Sequence, residues 1–223
     1  MKKVNVITAA YDCPAWIFDY LNGWNSQNRV NGWDIEIMIG VDGCEKTHQA
    51  LVDRNISHYW SADNVGTYII ANSLHALSNA NLYIRFDADD VPLPTYLSAA
   101  IENLTKSKCF QFLEYRTDEN LKPIKKHNKS NTMVYTKEVL EKIGGFHPVR
   151  VGADKDFIGR ARSAGFTGGN PLGHHFYKRQ HKNALTRAKE TNMKSVFRKE
   201  CHELMKKHIG YYVEPVTVEL QKF

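Results

Sequence analysis

The chain has 223 residues, of which 42% are apolar, and a formal net charge of +6. This length is enough to bury a substantial core in one large domain, or in one domain with an appendage. The longest apolar runs, such as Val4 to Ala10, are far shorter than the roughly 20 residues that cross a bilayer. We therefore expect no integral membrane segment.

The N-terminus and the cysteines indicate the compartment. The basic Met1-Lys2-Lys3 is followed by a strand-like segment, where a signal peptide would carry a longer apolar stretch and a small-residue cleavage site. The four cysteines are widely separated and form no Cys-x-x-Cys pair, so they indicate neither a zinc knuckle nor a disulfide framework. We expect a cytoplasmic protein with reduced thiols.

Alternating short apolar runs and amphipathic segments predict an α/β fold. In chain order, the predicted elements are a strand over 4–8, a helix around 15–24, a strand over 35–41, a helix within 66–77 and a strand over 82–86. Asp42 and Asp87 each follow a predicted strand directly. Ligands of open α/β sheets bind at such strand ends.

The second half of the chain is less regular. Pro92 and Pro94 are expected to end the preceding strand, and Thr95 can cap the helix that follows. The remaining predictions are a helix to residue 104, strands over 110–113 and 132–135, an exposed loop or hairpin over 118–131, and a late helix with an apolar face at Met193, Val196, Phe197, Cys201, Leu204 and Met205.

The positive charge is regional. Residues 178–208 hold ten Lys or Arg against three acidic residues, which leaves about −1 for the remainder of the chain. Such a basic segment suits a polyanion, whether nucleic acid, a teichoic-type polymer or an anionic membrane surface. A solvated helix face explains the same charge without a partner.

The strand over 82–86 is followed by a cluster of three carboxylates, Asp87, Asp89 and Asp90. The three would repel one another unless a cation or fixed hydrogen-bond donors compensated them. Magnesium and manganese bind through one or two carboxylates together with substrate phosphates. Asp89 is the first choice of ligand, and a helix cap or a solvated turn is the alternative interpretation of the cluster.

Several short motifs follow one another along the chain. The first group is Thr8-Ala9-Ala10-Tyr11, Val41-Asp42-Gly43-Cys44, Asp63-Asn64-Val65-Gly66 with Ala71-Asn72, and Asp87-Ala88-Asp89-Asp90. The second group is Gly144-Gly145-Phe146, Asp154-Lys155-Asp156-Phe157 and the segment from Gly173 to His181. Their order resembles the family 2 glycosyltransferases and their GT-A relatives over roughly residues 4–186, with the first group matching the donor side and the second the acceptor side. The glycine pairs are also ordinary turn residues, and Asp156 with Arg160 also fits an i,i+4 helix pair.

The resemblance implies a GT-A mixed sheet flanked by helices, with the transferase domain over 1–186 and a basic amphipathic helix and tail over 187–223 packed on it. It implies donor contacts from Thr8, Ala10, Tyr11, Asp42, Asn64, Gly66, Asn72, Arg85, Asp87 and Ala88. It places Gly145, Phe146, Asp156 and Arg179 on the acceptor side. The residue before Asp154 is Ala153 instead of the usual acid, so Asp154 alone matches the catalytic base.

The late histidine motif of the family completes a metal site, and two histidines match variants of it. His181 fits an Arg-x-His pattern and His174 a Gly-His pattern. The implied metal ligands are thus Asp89, Asp87 and one of these histidines, with manganese or magnesium as the cofactor. A surface histidine in a basic stretch is the commoner case without the resemblance.

The expected function is transfer of a sugar from a nucleotide-diphosphate sugar, by family default a UDP-sugar, to an acceptor hydroxyl. The basic segment makes a polyanion such as hydroxymethylated phage DNA, or a cell-surface glycan, the candidate acceptor. The alternative is a non-catalytic protein with the same fold that binds nucleotide sugars or polyanions. A nucleotidyltransferase is disfavoured because the chain shows no Gly-rich phosphate loop near its start.

Overall fold

The computed structural model describes residues 1–127, 132–168, 173–185, 187–208 and 210–223, with the side chain of His127 left out. The helices are α1 (Ile17–Asn25), α2 (Glu45–Val52), α3 (Thr67–Ala76), α4 (Tyr96–Asn103), α5 (Lys137–Ile143), α6 (Ala153–Ser163) and α7 (Val196–Lys206). The strands are β1 (Lys2–Ala10), β2 (Trp33–Asp42), β3 (Tyr59–Ser61), β4 (Leu82–Arg85), β5 (Val91–Pro92), β6 (Cys109–Phe110), β7 (Leu113–Thr117), β8 (Pro123–His127), β9 (Met133–Thr136), β10 (His174–Arg179) and β11 (Gln221–Lys222).

Within these residues the main sheet has seven strands in the order β11-β3-β2-β1-β4-β9-β6. Its centre is parallel, because β1 pairs parallel with both β2 and β4, and β2 with β3. Strands β9 and β11 run antiparallel to their neighbours. The prediction of a mixed α/β sheet flanked by helices is confirmed.

The central strand β1 is buried on both faces. Successive strand residues point to opposite sides of a sheet, so Val6 packs in one apolar cluster and Ile7 in the other. The first cluster includes Tyr20 and Trp24 of α1, and the second includes Leu74 of α3. This double coverage explains why the strand reads as a continuous apolar run.

A smaller four-stranded sheet, in the order β5-β10-β7-β8, lies beside the end of β4. Its strand β10 brings the segment that ends at Arg179 next to the acidic cluster, because β10 pairs with β5 directly after that cluster. The hairpin predicted over 118–131 is present as the β7–β8 pair, and residues 128–131 lie outside the described residues.

Three local predictions were wrong. The single strand over 110–113 is two strands, β6 and β7, which belong to different sheets. Pro92 is the last residue of the separate edge strand β5, where its missing N–H is tolerated, and the preceding strand β4 already ends at Arg85. Thr95 does not cap α4, since its hydroxyl bonds His175 Nδ1 at 3.0 Å.

The C-terminal region packs on the rest of the chain. Val213 bridges Gly144, and β11 pairs with β3 at the sheet edge. Helix α7 buries Arg198, Cys201 and Met205, whereas four residues of the predicted apolar face are exposed: Met193, Val196, Phe197 and Leu204. The predicted face is therefore confirmed at Cys201 and Met205 and wrong at the other four residues, since α7 begins only at Val196 and buries Arg198 beside these two. Residue 186, the predicted domain boundary, lies outside the described residues.

No helix in the described part of the chain is both long and apolar enough to span a bilayer.

Candidate active site

A cleft of about 460 Å³ lies at the carboxyl edge of the parallel strands. Strands β2 and β3 lie on one side of β1, and β4 lies on its other side. The strand order therefore reverses at β1, and the cleft opens at this point. The strand ends contribute Tyr11, Asp42 and Arg85, and the opposite wall comes from the start of α6 and from residues after β10. The edge predicted from the positions of Asp42 and Asp87 is therefore a concave site.

The acidic cluster lies on the floor of the cleft. Each of Asp87, Asp89 and Asp90 offers a carboxylate oxygen within 4.8 Å of the other two. Asp90 is buried, and its Oδ1 accepts the backbone N–H of Arg179 at 3.0 Å. The Asp89 side chain is 28% exposed, compared with 24% for Asp87 and 1% for Asp90. Asp89 is therefore the most exposed member of the cluster.

Two cations compensate this cluster. Arg85 bonds Asp87 at 2.7 Å, and Lys178 Nζ lies 3.7 Å from both Asp87 and Asp90. Burial opposes ionisation of Asp87, but Arg85 and Lys178 hold its pKa below the ordinary value. Burial raises the pKa of Asp90 well above its usual range, and the neighbouring carboxylates add to the increase. Asp90 is thus the member of the cluster whose ionisation burial opposes most.

His181 faces the exposed carboxylate. Its Nε2 lies 2.7 Å from Asp89 Oδ2, and its ring packs against Trp16 with centroids 4.0 Å apart. Its buried Nδ1 has no hydrogen-bond partner among the described residues. The packing on Trp16, together with Asp89, therefore sets the orientation of the ring.

His174 lies elsewhere. It is at the start of β10, its ring contacts Tyr115 with centroids 4.9 Å apart, and it does not line the cleft. Of the two candidate histidines, the structure brings only His181 to the acidic cluster.

These side chains fit a divalent cation. Octahedral coordination with bonds of about 2.1 Å holds neighbouring ligand atoms about 3 Å apart, which is close to the separation of Asp89 Oδ2 and His181 Nε2. Carboxylate oxygens suit magnesium and manganese, and imidazole suits ions such as zinc and iron, so this ligand set fits a divalent metal in general. Asp87 is already bound by Arg85 and Lys178, so Asp89 and His181 are the ligands that the chain offers most directly.

Asp154 lies in the first turn of α6 and lines the same cleft as Asp87 and Asp89. Its Oδ1 accepts the hydroxyl hydrogen of Tyr68 at 2.9 Å. The carboxylate sits at a helix N-terminus, where the helix dipole favours negative charge. Asp154 is half-buried and lines the cleft, so a ligand hydroxyl can reach it.

Asp42 holds a turn at the other end of the cleft. Its carboxylate accepts the backbone N–H groups of Val65 and Gly66 at 2.7 and 3.0 Å, and Asn64 Nδ2 bonds its carbonyl. Gly66 has a φ of +102°, which a glycine adopts without strain. Arg150 completes this end with bonds of 2.6 and 2.7 Å to the side chain and backbone oxygens of Asn64.

Several predicted donor contacts form the support of the cleft instead of its surface. Tyr11, Asp42, Asn64, Gly66, Arg85, Asp87 and Ala88 line it, whereas Thr8, Ala10 and Asn72 do not. Thr8 is buried, and its hydroxyl bonds Tyr20 at 2.6 Å and the carbonyl of Phe86 at 3.0 Å. It ties α1 and the end of β4 to β1.

Asn72 joins α3 to the Gly144-Gly145-Phe146 turn. Its side chain accepts the Phe146 N–H and donates to the Phe146 carbonyl, both at 2.9 Å, and it donates also to the Val216 carbonyl. Gly145 and Phe146 are likewise buried, and a Cβ on Gly145 would lie 2.6 Å from the Asn72 amide oxygen. This turn is therefore packed against α3, outside the cleft.

We expect Asn72→Ala to lower the free energy of unfolding by about 2 to 4 kcal/mol, because buried backbone groups of Phe146 and Val216 lose their partner. Urea unfolding measures the loss. Exposed Asn25→Ala is the matched control and should stay within about 0.5 kcal/mol of wild type. Equal effects of the two substitutions would show that the Asn72 amide does not hold the turn.

The last two predicted acceptor-side residues also have internal partners. Asp156 points away from the cleft and bonds Arg160 Nε at 2.7 Å, the i,i+4 pair considered as an alternative. Arg179 lines the cleft but is buried, and its guanidinium bonds the Asp89 carbonyl, the Asp19 carboxylate and the Glu119 carbonyl. Arg179 thus stabilises the acidic cluster through the Asp89 carbonyl and the Asp90 carboxylate.

The cleft residues without a predicted catalytic, donor-binding or metal role include Trp16, Tyr68, Arg150 and Lys178. Lys178 stood in the late histidine motif, so its proximity to His181 was the available signal. Tyr68 had the spacing of a core residue of α3, which does not reveal that its hydroxyl points to a functional carboxylate. Nothing in the sequence marked Trp16 or Arg150.

No protein-family model and no curated protein sequence matches the chain. Solved structures show that it has the fold of nucleotide-sugar glycosyltransferases of the GT-A type. One neighbour is residues 1–349 of TarS from S. aureus in complex with UDP-GlcNAc, with a TM-score of 0.64, 15% identity, and coverage of 82% of this chain and 60% of that one.

A second neighbour is the mannosyltransferase PcManGT from Pyrobaculum calidifontis in complex with GDP-Man and Mn2+. Its TM-score is 0.66 at 16% identity, with coverage of 81% of this chain and 58% of that one. The chain thus spans about three fifths of the length of these two neighbours. At these identities the likeness establishes the fold.

Proposed function

We propose that the chain is a metal-dependent glycosyltransferase that moves a sugar from a nucleotide-diphosphate sugar to an acceptor hydroxyl. The observation that carries the proposal is the arrangement of Asp89 with His181 and of Asp154 around one cleft, at the strand edge where this fold binds ligands. The cleft offers ligands for a cation, cations for a diphosphate and a carboxylate for a proton.

We propose that the donor binds between the turn at Asp42 and the acidic cluster. Tyr11, Asn64 and Arg150 supply an aromatic ring and polar groups at the nucleoside end. Arg85 and Lys178 supply positive charge beside the cluster, where the diphosphate would lie. UDP-GlcNAc and GDP-Man, bound by the two neighbours, are the first donors to test.

Asp89 and His181, with Asp87 beside them, would hold the divalent metal, for which we propose manganese. When bound, the metal neutralises charge on the departing nucleoside diphosphate as a Lewis acid. Lys178 and Arg85 of the chain add fixed positive charge in the same place, in a site that is largely withdrawn from water.

In an inverting reaction, Asp154 is the general base. The acceptor oxygen forms a bond to the anomeric carbon while the bond from that carbon to the diphosphate breaks. The acceptor's proton passes to Asp154, and the nucleoside diphosphate leaves with the electron pair. In a retaining reaction no such base is required, and Asp154 orients hydroxyl groups.

For the acceptor we propose a polyanion, such as hydroxymethylated DNA or an anionic cell-surface glycan. The support is electrostatic. Lys155 and Arg150 are exposed at the cleft beside Asp154, and the chain carries its positive excess over 178–208. Cationic side chains next to a site attract a polyanion and orient its approach.

The test of the donor proposal is thermal unfolding with Mn2+ and a panel of nucleoside diphosphates and nucleotide sugars. A ligand at 100 times its Kd stabilises the native state by about 2.7 kcal/mol. We expect a metal-dependent rise in Tm with one nucleotide base, followed by release of nucleoside diphosphate from the matching sugar, faster with hydroxymethylated DNA present.

No rise in Tm with any metal and nucleotide pair would overturn the proposed donor site. A metal-dependent rise without turnover, with water or with DNA, would favour the non-catalytic sugar-nucleotide-binding alternative.

A further inference from the structure

We propose that Tyr68 is a positioning residue for Asp154, which holds one carboxylate oxygen and leaves the other to receive the acceptor's proton. This inference rests on the proposed function. Its structural basis is the pair of contacts between the two residues, which come from different elements: Tyr68 from α3 and Asp154 from α6.

The two contacts fix the carboxylate relative to the backbone. The Tyr68 hydroxyl donates to Asp154 Oδ1 at 2.9 Å, and the same oxygen of Tyr68 accepts the backbone N–H of Asp154 at 3.3 Å. A side chain held at its carboxylate and at its own N–H has little rotational freedom. Among the described residues no donor bonds Asp154 Oδ2, so that oxygen is left for a ligand in the cleft.

Tyr68 is itself rigid. The residue is 5% exposed, and its ring packs on Phe146 with centroids 5.4 Å apart. The Arg85 guanidinium lies 5.6 Å from the ring centroid. Burial raises the pKa of Tyr68, with Asp154 adding to the increase, so the hydroxyl keeps its proton. The Tyr68 hydroxyl therefore remains a hydrogen-bond donor at neutral pH.

The contact also joins the two halves of the site. Arg85 packs on Tyr68 and bonds Asp87, so one continuous set of contacts runs from Asp154 to the acidic cluster. Lys155 of α6, Arg150 of the preceding loop and Lys178 of β10 carry charge at the same cleft, and His202 of α7 lies beside Gly152 at the start of α6. General-base catalysis depends on the position of the base, and a misplacement of about 1 Å costs up to about 100-fold in rate.

The test substitution is Tyr68→Phe, which removes the hydroxyl and keeps the ring. We expect kcat for release of nucleoside diphosphate to fall about 10- to 100-fold, with the donor Kd within about twofold of wild type. The acid limb of the pH–rate profile should move to higher pH, because a hydrogen bond that favours the ionised carboxylate is lost. The probes are UDP-GlcNAc and GDP-mannose with Mn2+, with water as the acceptor.

Tyr135→Phe is the matched control. Tyr135 is also buried, and its hydroxyl bonds His75 Nε2 at 2.7 Å away from the cleft. A purely structural loss would affect Tm in both variants alike and leave kcat and the pH profile unchanged in both. That result would overturn the positioning role.

A second measurement does not depend on turnover. In protein with 13C-labelled aspartate carboxyl carbons, the signal lost in Asp154→Asn identifies Asp154. At one fixed pH, we expect the chemical shift of this carbon to differ between Tyr68→Phe and wild type, because the Tyr68 hydroxyl donates to this carboxylate. An unchanged chemical shift would overturn the role. If wild type releases no product from any donor, the proposed function fails, while the chemical shift still decides whether Tyr68 holds Asp154.

Discussion

Asp154→Asn is expected to slow release of nucleoside diphosphate by about 100- to 10,000-fold, the range that a positioned general base contributes. Asparagine is nearly isosteric with aspartate and can still accept the Tyr68 hydrogen bond, so the cleft should keep its shape. The donor Kd should stay within about twofold of wild type. Initial rates at saturating donor and equilibrium binding of the same donor measure the two effects.

Asp34→Asn is the control for this substitution. Asp34 is exposed near the start of β2, at the opposite edge of the sheet from the cleft, and should leave the rate unchanged. A rate for Asp154→Asn close to wild type would show that no external base is needed. The reaction would then be expected to retain the anomeric configuration.

Asp89→Ala and His181→Ala are each expected to abolish the metal-dependent part of nucleotide binding. The two side chains are the ligands that the chain offers most directly, and with one of them lost the cation has too few protein ligands to bridge to the diphosphate. The rise in Tm with Mn2+ and the matching nucleotide should vanish in both variants. Titration of Mn2+ in the presence of nucleoside diphosphate gives the affinities directly.

His174→Ala is the matched histidine control, since His174 packs on Tyr115 outside the cleft. It should bind metal and nucleotide as wild type does. If His174→Ala lost the effect and His181→Ala kept it, the metal site would have to be placed elsewhere than at the Asp89–His181 pair.

The strand ends of the site could be predicted from the sequence, because apolar periodicity fixes where a buried strand ends. Asp42 and Asp87 follow such runs, and parallel strands end at one edge of a sheet. The choice between His174 and His181 could not be made in this way. It depends on the register of β10, which is irregular between His174 and Phe176, and on the chain path beyond Arg179.

Motif matches also do not distinguish a residue that touches a ligand from one that supports the site. Asn72, Gly145 and Phe146 matched family positions, yet in the structure they pack α3 against a turn. Conversely, Tyr68 had only the spacing of a core residue, and its burial agrees with that pattern. The direction of a single hydroxyl group is set by tertiary packing, which one unaligned sequence does not contain.

The paired charges on the cleft floor bear on how a donor arrives. Asp87, Asp89 and Asp90 face Arg85 and Lys178, and burial opposes the negative charge of Asp90 by raising its pKa. A row of three ionised carboxylates would project a repulsive field toward a polyphosphate in solution. Arg85 and Lys178 lie beside these carboxylates and offset their charge. The repulsive field is therefore weak at long range, and the short-range fit to the cleft decides which diphosphate binds.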